Sequence, residues 1–168
     1  MIARTPVAAD REAALEALDR CGAFTAEEVR VAIEMFDDGL AGDYSLVGVD
    51  IDGSLCGYAC IGKAWLTQGS WYVYWICVHP AFQGRGVARR LQRTAEDLVR
   101  GSGGERLVLE TSSRDLYGRS RRFYAHAGYE VQGRIADFYQ RGDDCIIYVK
   151  PLGGPHGSGS SQSRQRPL

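Results

Sequence analysis

Gln83-Gly84-Arg85-Gly86-Val87-Ala88 is the stretch whose residue types and spacing speak most directly of chemistry. Two glycines in a short turn, just ahead of an amphipathic run, leave backbone N–H groups unpaired at the start of a helix. Those donors and the positive end of the helix dipole favour an anion. Glycine has no Cβ, so a bulky phosphate can reach the main chain. Arg85, Arg89, Arg90 and Arg93 cluster at the same place, with Arg85 and either Arg89 or Arg90 best placed for phosphate oxygens. The chemistry implied is the binding of a phosphorylated cofactor. A P-loop is excluded, because no Gly-x-x-x-x-Gly-Lys-Ser/Thr run exists. A dinucleotide fingerprint is excluded too, because Arg89 stands where its third glycine belongs.

Such a turn works only between a strand and a helix. Trp71 to Val78, rich in β-branched and aromatic residues, predicts the strand. Val87, Leu91, Ala95, Leu98 and Val99 share one face of a helix predicted from Val87 to about Arg100. After a Gly101–Gly104 turn, Arg106 to Thr111 reads as a second apolar strand. A right-handed crossover then makes the two strands a parallel pair. A short helix follows, from about Arg119 to Ala127, with Gly128 as its C′ residue. Two closing strands are expected near Glu130–Tyr139 and Cys145–Val149, turning at Arg141-Gly142-Asp143-Asp144. Upstream, Tyr44–Asp50 and Leu55–Lys63 form an antiparallel hairpin turning at Asp52-Gly53. Nearer the N-terminus, Asp10 is the expected N-cap of a helix over Arg11–Arg20. Thr25 with Glu28 makes a capping box for a second helix reaching about Asp38, with Val29, Ile33 and Phe36 as its apolar set.

Gln83-x-x-Gly86-x-Ala88, directly after a strand ending in Val-His-Pro, resembles the acyl-CoA pyrophosphate loop of the GNAT superfamily of N-acetyltransferases. Phe123-Tyr124-Ala125-His126-Ala127-Gly128-Tyr129 is similar to that family's Phe-Tyr-x-x-x-Gly-Phe/Tyr segment. The resemblance covers roughly Tyr44 to Leu152, and more loosely the N-terminal helices, and its details look like an uncharacterised bacterial-type subgroup. It implies an α/β (α+β) fold with a single domain over 1–152. The sheet would be mixed, mostly antiparallel and twisted, flanked by about four helices. Its central parallel strand pair would splay at the acyl-CoA site. It implies acetyl-CoA as cosubstrate, with Ile76, Cys77 and Val78 offering backbone groups. Gln83, Gly84, Arg85, Gly86, Val87, Ala88 and Arg89 would bind the phosphates, joined by Ser120 and Tyr124. Tyr124 stands at the position of the family's general acid, and a phenol suits protonation of a departing thiolate.

The base is less defined. Many family members carry a carboxylate six residues before the Val78 position, where this chain has Tyr72. Glu110 is a candidate base, or else a partner for Arg106 or Arg114. Asp137 is a second candidate, suited to a cationic amine. Tyr72, Tyr74 and Ile76 are expected on one face by the two-residue period, with Trp71, Val73 and Trp75 on the other. Trp65, Tyr72, Tyr74, Tyr117 and Tyr139 either line an acceptor pocket or belong to the core. The expected substrate contacts are Tyr72, Tyr74, Asp137 and Tyr139.

The chain has 168 residues, 45% of them apolar, and a net charge of −1, which argues against a general nucleic-acid binder. Its five cysteines form no Cys-x-x-Cys pair, and its three histidines show no ligand spacing, so no disulfide framework and no metal is expected. No apolar run reaches the roughly 18 residues of a membrane span, and no signal peptide is read, so a cytoplasmic protein is expected. From Gly153 a Gly/Ser-rich stretch over 153–168 reads as a flexible tail. Three functions are carried forward. The first is an acetyltransferase moving an acetyl group to the primary amine of a small molecule by direct attack in a ternary complex. The second is a protein N-terminal or lysine N-acetyltransferase, and the third a noncatalytic acyl-CoA-binding regulatory module. A homodimer through the last strands is expected by analogy alone.

Overall fold

The computed structural model describes residues 1–153, so the tail expected over 153–168, with His156, lies from residue 154 outside the described residues. Seven strands form one sheet: β1 (Ile2–Arg4), β2 (Ser45–Ile51), β3 (Ser54–Lys63), β4 (Ser70–Val78), β5 (Arg106–Ser112), β6 (Glu130–Gln140) and β7 (Asp143–Pro151). Their order is β1-β2-β3-β4-β5-β7-β6, and only β4 and β5 run parallel. Four α-helices flank it: α1 (Arg11–Cys21), α2 (Ala26–Ala41), α3 (Val87–Gly101) and α4 (Gly118–His126). Among the described residues no helix is long and apolar enough to cross a membrane.

Each face of the sheet buries a separate apolar stripe. Val87, Leu91, Ala95 and Val99 recur at helical spacing along α3 and pack on Val47, Val49, Ile61, Leu107 and Leu109. Tyr124 of α4 joins this layer. On the other face Ala14, Ala17 and Leu18 of α1 and Val29, Ile33 and Phe36 of α2 meet Leu46, Tyr58, Cys60 and Cys77. Full burial of each such large side chain contributes roughly 1.5–3 kcal/mol. The Thr25–Glu28 capping box forms as its spacing predicts, Glu28 N–H donating to Thr25 Oγ1 at 3.2 Å and Thr25 N–H to Glu28 Oε2 at 2.7 Å. The helix runs past Asp38 to Ala41, where Gly42 adopts a left-handed conformation and closes it.

Two local expectations are corrected. Asp10 stands at the N-cap of α1 as expected, but its side chain makes no cap bond: its carboxylate accepts from Val7 N–H at 2.7 Å and from both Arg4 Nη atoms at 2.6 and 2.7 Å. Arg4 Nε also donates to Asp50 Oδ2 at 2.6 Å, so one guanidinium ties the short first strand to β2 and to the turn before α1. A bidentate, charge-assisted pair outweighs a single cap bond. The second correction lies in β4. Cys60 pairs with Trp75 but Ile61 pairs with Val73, leaving Tyr74 in a β-bulge. The extra residue shifts the alternation. Ile76 and Val78 therefore pack on the α3 face with Val73, while Trp75 and Cys77 pack on the α1–α2 face. Tyr72, Tyr74 and Ile76 do not share a face.

Candidate active site

The site is made by a pair of strands that part company. β4 and β5 pair only at Ser70–Tyr72 with Arg106–Val108, yet they continue to Val78 and Ser112. Past that point their facing edges have no strand between them, and backbone groups there need other partners. β7 continues to pair with the far edge of β5 as far as Ser112–Cys145, so β5 is held in place while the gap opens. A single groove of about 1590 Å³ passes through the gap and is lined by residues from both faces of the sheet.

On the α3 face lies the glycine turn. Gly84 and Gly86 have φ of 77° and 84°, conformations that side chains rarely adopt. A Cβ on Gly84 would meet nothing within 4 Å, and one on Gly86 only Arg89 Nη2 at 3.7 Å, so the space over the turn is open to a ligand. α3 begins at Val87 with Gly86 as N-cap and no side-chain cap, which leaves its first N–H groups directed into that space. Gln83 braces the turn from both ends: its Nε2 donates to Val78 O at 3.2 Å, and its Oε1 accepts from Arg119 Nη1 at 2.8 Å. Arg85 lies over the Phe82 ring at 5.4 Å. Arg85, Arg89, Arg93 and Arg119 line this end, whereas Arg90 does not.

Tyr124 lines the middle of the groove although it is only 8% exposed. Its ring is held edge-on or tilted by Phe123, Tyr129 and Tyr148, at centroid distances of 5.6, 5.8 and 5.8 Å. Among the described residues its hydroxyl has no hydrogen-bond partner. Burial pushes the phenol above its ordinary range, so it keeps its proton near neutral pH. Nearby, Gln92 Nε2 bonds both the Tyr129 hydroxyl at 2.7 Å and Glu96 Oε1 at 3.1 Å, and Lys150 Nζ reaches the same carboxylate. That satisfied buried network fixes α3 against the closing strands.

The other face carries the acidic end. Glu110 and Ser112 of β5, Asp143 of β7 and Tyr139 of β6 all line the groove there, with Glu27 and Glu28 from the start of α2. Tyr117 also lines it and ties its loop to the α1–α2 connection, its hydroxyl donating to Ala23 O at 2.9 Å. Phe24 and Trp75 pack at 5.1 Å and form the adjoining wall. Cys21 and Cys77 both line it. The adjoining Cys77 and the Ala23 backbone hold the Cys21 thiol below the usual thiol range, while Cys77, whose thiol donates to Ala17 O at 3.3 Å, is pushed up.

The structure brings most of the sequence-predicted residues together, with Asp137, Trp65 and Arg90 left outside. Ile76, Cys77, Val78, Gln83, Gly84, Arg85, Gly86, Val87, Ala88, Arg89, Ser120 and Tyr124 line the groove, as do Glu110, Tyr72, Tyr74 and Tyr139. Asp137 does not. It sits in a bulge of β6 with φ 53°, and its Oδ1 accepts from Gly142 N–H at 2.6 Å. Its carboxylate serves the hairpin turn and is removed from the substrate contacts. Trp65 is 89% exposed on the loop after β3 and lies outside the groove as well. Sequence reasoning missed Ser112, Asp143, Trp75 and Arg119. For Asp143 a signal existed: an acid at the first position of an apolar strand.

The sequence and the fold are shared with known proteins. The sequence profile of the Acetyltransferase (GNAT) family matches residues 11–129. The chain is 36% identical over 111 residues to the N-alpha-acetyltransferase RimI of Mycobacterium tuberculosis, covering 65% of this chain and 67% of that protein. A GNAT-family acetyltransferase structure from Desulfovibrio desulfuricans superposes with a TM-score of 0.86 at 35% identity, covering 90% of this chain and 99% of the other. The yncA protein of Salmonella typhimurium, solved with its cofactor acetyl-CoA, shares the fold at 20% identity and a TM-score of 0.74, covering 96% and 99% of the two chains.

Proposed function

The chain belongs to the GNAT acetyltransferase family, and from that premise we propose that it transfers the acetyl group of acetyl-CoA directly to a primary amine in a ternary complex. The observation that carries this reading is the early end of the β4–β5 pairing. It joins a phosphate-fitting turn on one face to an acidic acceptor end on the other, with Tyr124 between them.

The residues fit the cosubstrate. The turn at Gly84 and Gly86 has room above it that a Cβ would invade, donors at the α3 N-terminus and arginines at its rim. Bound there, acetyl-CoA supplies an acetyl group activated as a thioester. Val78 O already accepts from Gln83 and so faces away from β3. The two-residue period then puts the Ile76 N–H on the same unpaired edge, available to the acetyl carbonyl or the pantetheine amides. Tyr124 holds its proton at Oη for the departing sulfur. An amine must lose a proton before it can attack, and Glu110, exposed on the acceptor face, is the residue that takes it, directly or through one water.

The acceptor reading favoured here is the α-amine at the end of a peptide chain. Two features support it: the groove runs out between α2 and the β6–β7 hairpin, and the relative at 36% identity is named an N-alpha-acetyltransferase. A small amine is the second reading, supported by the aromatic cluster of Tyr44, Tyr72 and Tyr74 beside the groove, with centroids 5.2 and 5.7 Å apart. The test is acetyl-CoA-dependent release of CoA with a panel of short peptides bearing free N-termini and a panel of amino acids and polyamines. Turnover restricted to peptides supports the first reading and turnover restricted to small amines the second. No turnover with either panel, despite tight CoA binding, refutes catalysis and leaves the noncatalytic acyl-CoA module.

A further inference from the structure

We infer that Asp143 anchors the acceptor's ammonium group and that Ser112 holds it for that task. The inference rests on the reading that this groove acetylates a primary amine. Asp143 is only 5% exposed, yet it lines the groove. Ser112 Oγ donates to Asp143 Oδ1 at 2.5 Å while accepting from Arg114 N–H at 3.1 Å. The hydroxyl is fixed from both sides, so its single proton points at the carboxylate. Two neighbouring bonds hold the pair: Ser113 N–H donates to Asp144 O at 2.9 Å, and Asp144 N–H donates to Ser113 Oγ at 2.9 Å.

What this carboxylate lacks is a cation. Among the described residues, the other two buried acids have basic partners: Asp10 has Arg4, and Glu96 has Lys150 and Arg100. No ion pair reaches Asp143, although Arg114 lines the same groove. One serine hydroxyl leaves most of the hydrogen-bonding capacity of a buried carboxylate unmet. Its second oxygen, Oδ2, has no hydrogen-bond partner among the described residues, and the residue lines the groove. Position agrees with charge. Ser112 lies opposite Cys145, on the face of the sheet that also carries Glu110 and Tyr139. The cationic form of the acceptor is attracted there, its N–H groups donating to Asp143 Oδ2. The more exposed Glu110 is then left to take up the proton as the amine moves on toward the acetyl group. A site built around a hydrogen bond to a charged group discriminates strongly against an analogue lacking it.

The test uses the full chain saturated with CoA, so that nothing is turned over. Calorimetry compares trialanine amide with its counterpart in which the α-amine is replaced by a hydroxyl, at about pH 7, where the α-amine is mostly protonated. In the wild type the amine binds roughly tenfold tighter or more. In Asp143→Asn, which keeps the volume and an oxygen for Ser112, the preference falls to near one, while CoA affinity is unchanged. Ser112→Ala, which releases the carboxylate without removing it, reduces the preference by less. A preference that survives Asp143→Asn with CoA binding intact overturns the anchor alone, as does equal binding of the two peptides by the wild type. Failure of the wild type to bind CoA refutes the transferase reading and the anchor with it.

Discussion

Tyr124→Phe isolates one hydroxyl. The ring is held by Phe123, Tyr129 and Tyr148, all between 5.6 and 5.8 Å away, and Phe keeps those contacts. The hydroxyl has no protein partner among the described residues, so its loss orphans no buried donor or acceptor. Stability should therefore change by less than about 1 kcal/mol. Catalysis should change much more. Loss of a positioned acid lowers a rate by roughly 10²–10⁴-fold, equivalent to about 3–5 kcal/mol of barrier. The assay is CoA release with the best acceptor from the panels, beside urea unfolding of both proteins. The expected pattern is kcat reduced at least a hundredfold, KM for acetyl-CoA within about twofold, and an unchanged unfolding midpoint. A variant with kcat within about fivefold of wild type would refute the acid role, and Tyr124 would be a packing residue only.

Other consequences follow from single contacts. A Cβ on Gly57 would stand 2.6 Å from Cys77 O and 3.1 Å from Val78 Cα, both backbone atoms of the groove wall. Gly57→Ala should destabilise by roughly 1–3 kcal/mol in urea unfolding and weaken CoA binding, and an unchanged midpoint would contradict that crowding. The neighbouring Cys77 lowers the Cys21 thiol, so alkylation of Cys21 by iodoacetamide should rise at lower pH than for an ordinary thiol. Cys77→Ala should move that rise upward, and identical pH profiles read by mass spectrometry would contradict the pairing. The Arg4 hydrogen bonds hold the Asp10 carboxyl below its usual range. Its stabilising effect is therefore present above the unfolded carboxylate pKa and lost as pH falls through the lower folded value. Asp10→Asn should be less stable than wild type at neutral pH, with the difference closing in acid. A difference independent of pH would argue against the ion pair.

What could be read from the chain beforehand depended on range. The glycine turn, the Thr25–Glu28 cap and the α3 stripe are set within a few residues, and each lies where its spacing predicts. The bulge at Tyr74 was not legible, because it exists only in the register of β4 against β3. One inserted residue there reverses the faces of Trp75, Ile76 and Cys77. Asp137 is illegible for a similar reason: it reads as a strand residue, but a left-handed backbone turns its carboxylate onto Gly142. Ser112 and Asp143 are 31 residues apart and meet only because β7 returns beside β5. Asp10 holds the N-cap position its type predicts, but Arg4, six residues earlier, takes its carboxylate.

The most direct measurement is calorimetric titration of the wild type and of Gly86→Glu with acetyl-CoA and with free CoA. Gly86 sits at φ 84° under open space at the α3 N-terminus, so a glutamate there strains the turn and brings a negative charge to the phosphate position. Saturable micromolar binding of both ligands by the wild type, lost in a variant that remains folded, is the predicted result. Absence of binding in the wild type, or equal affinity in the two proteins, would contradict the placement of the pyrophosphate on the Gln83–Ala88 turn and the mechanism built from it.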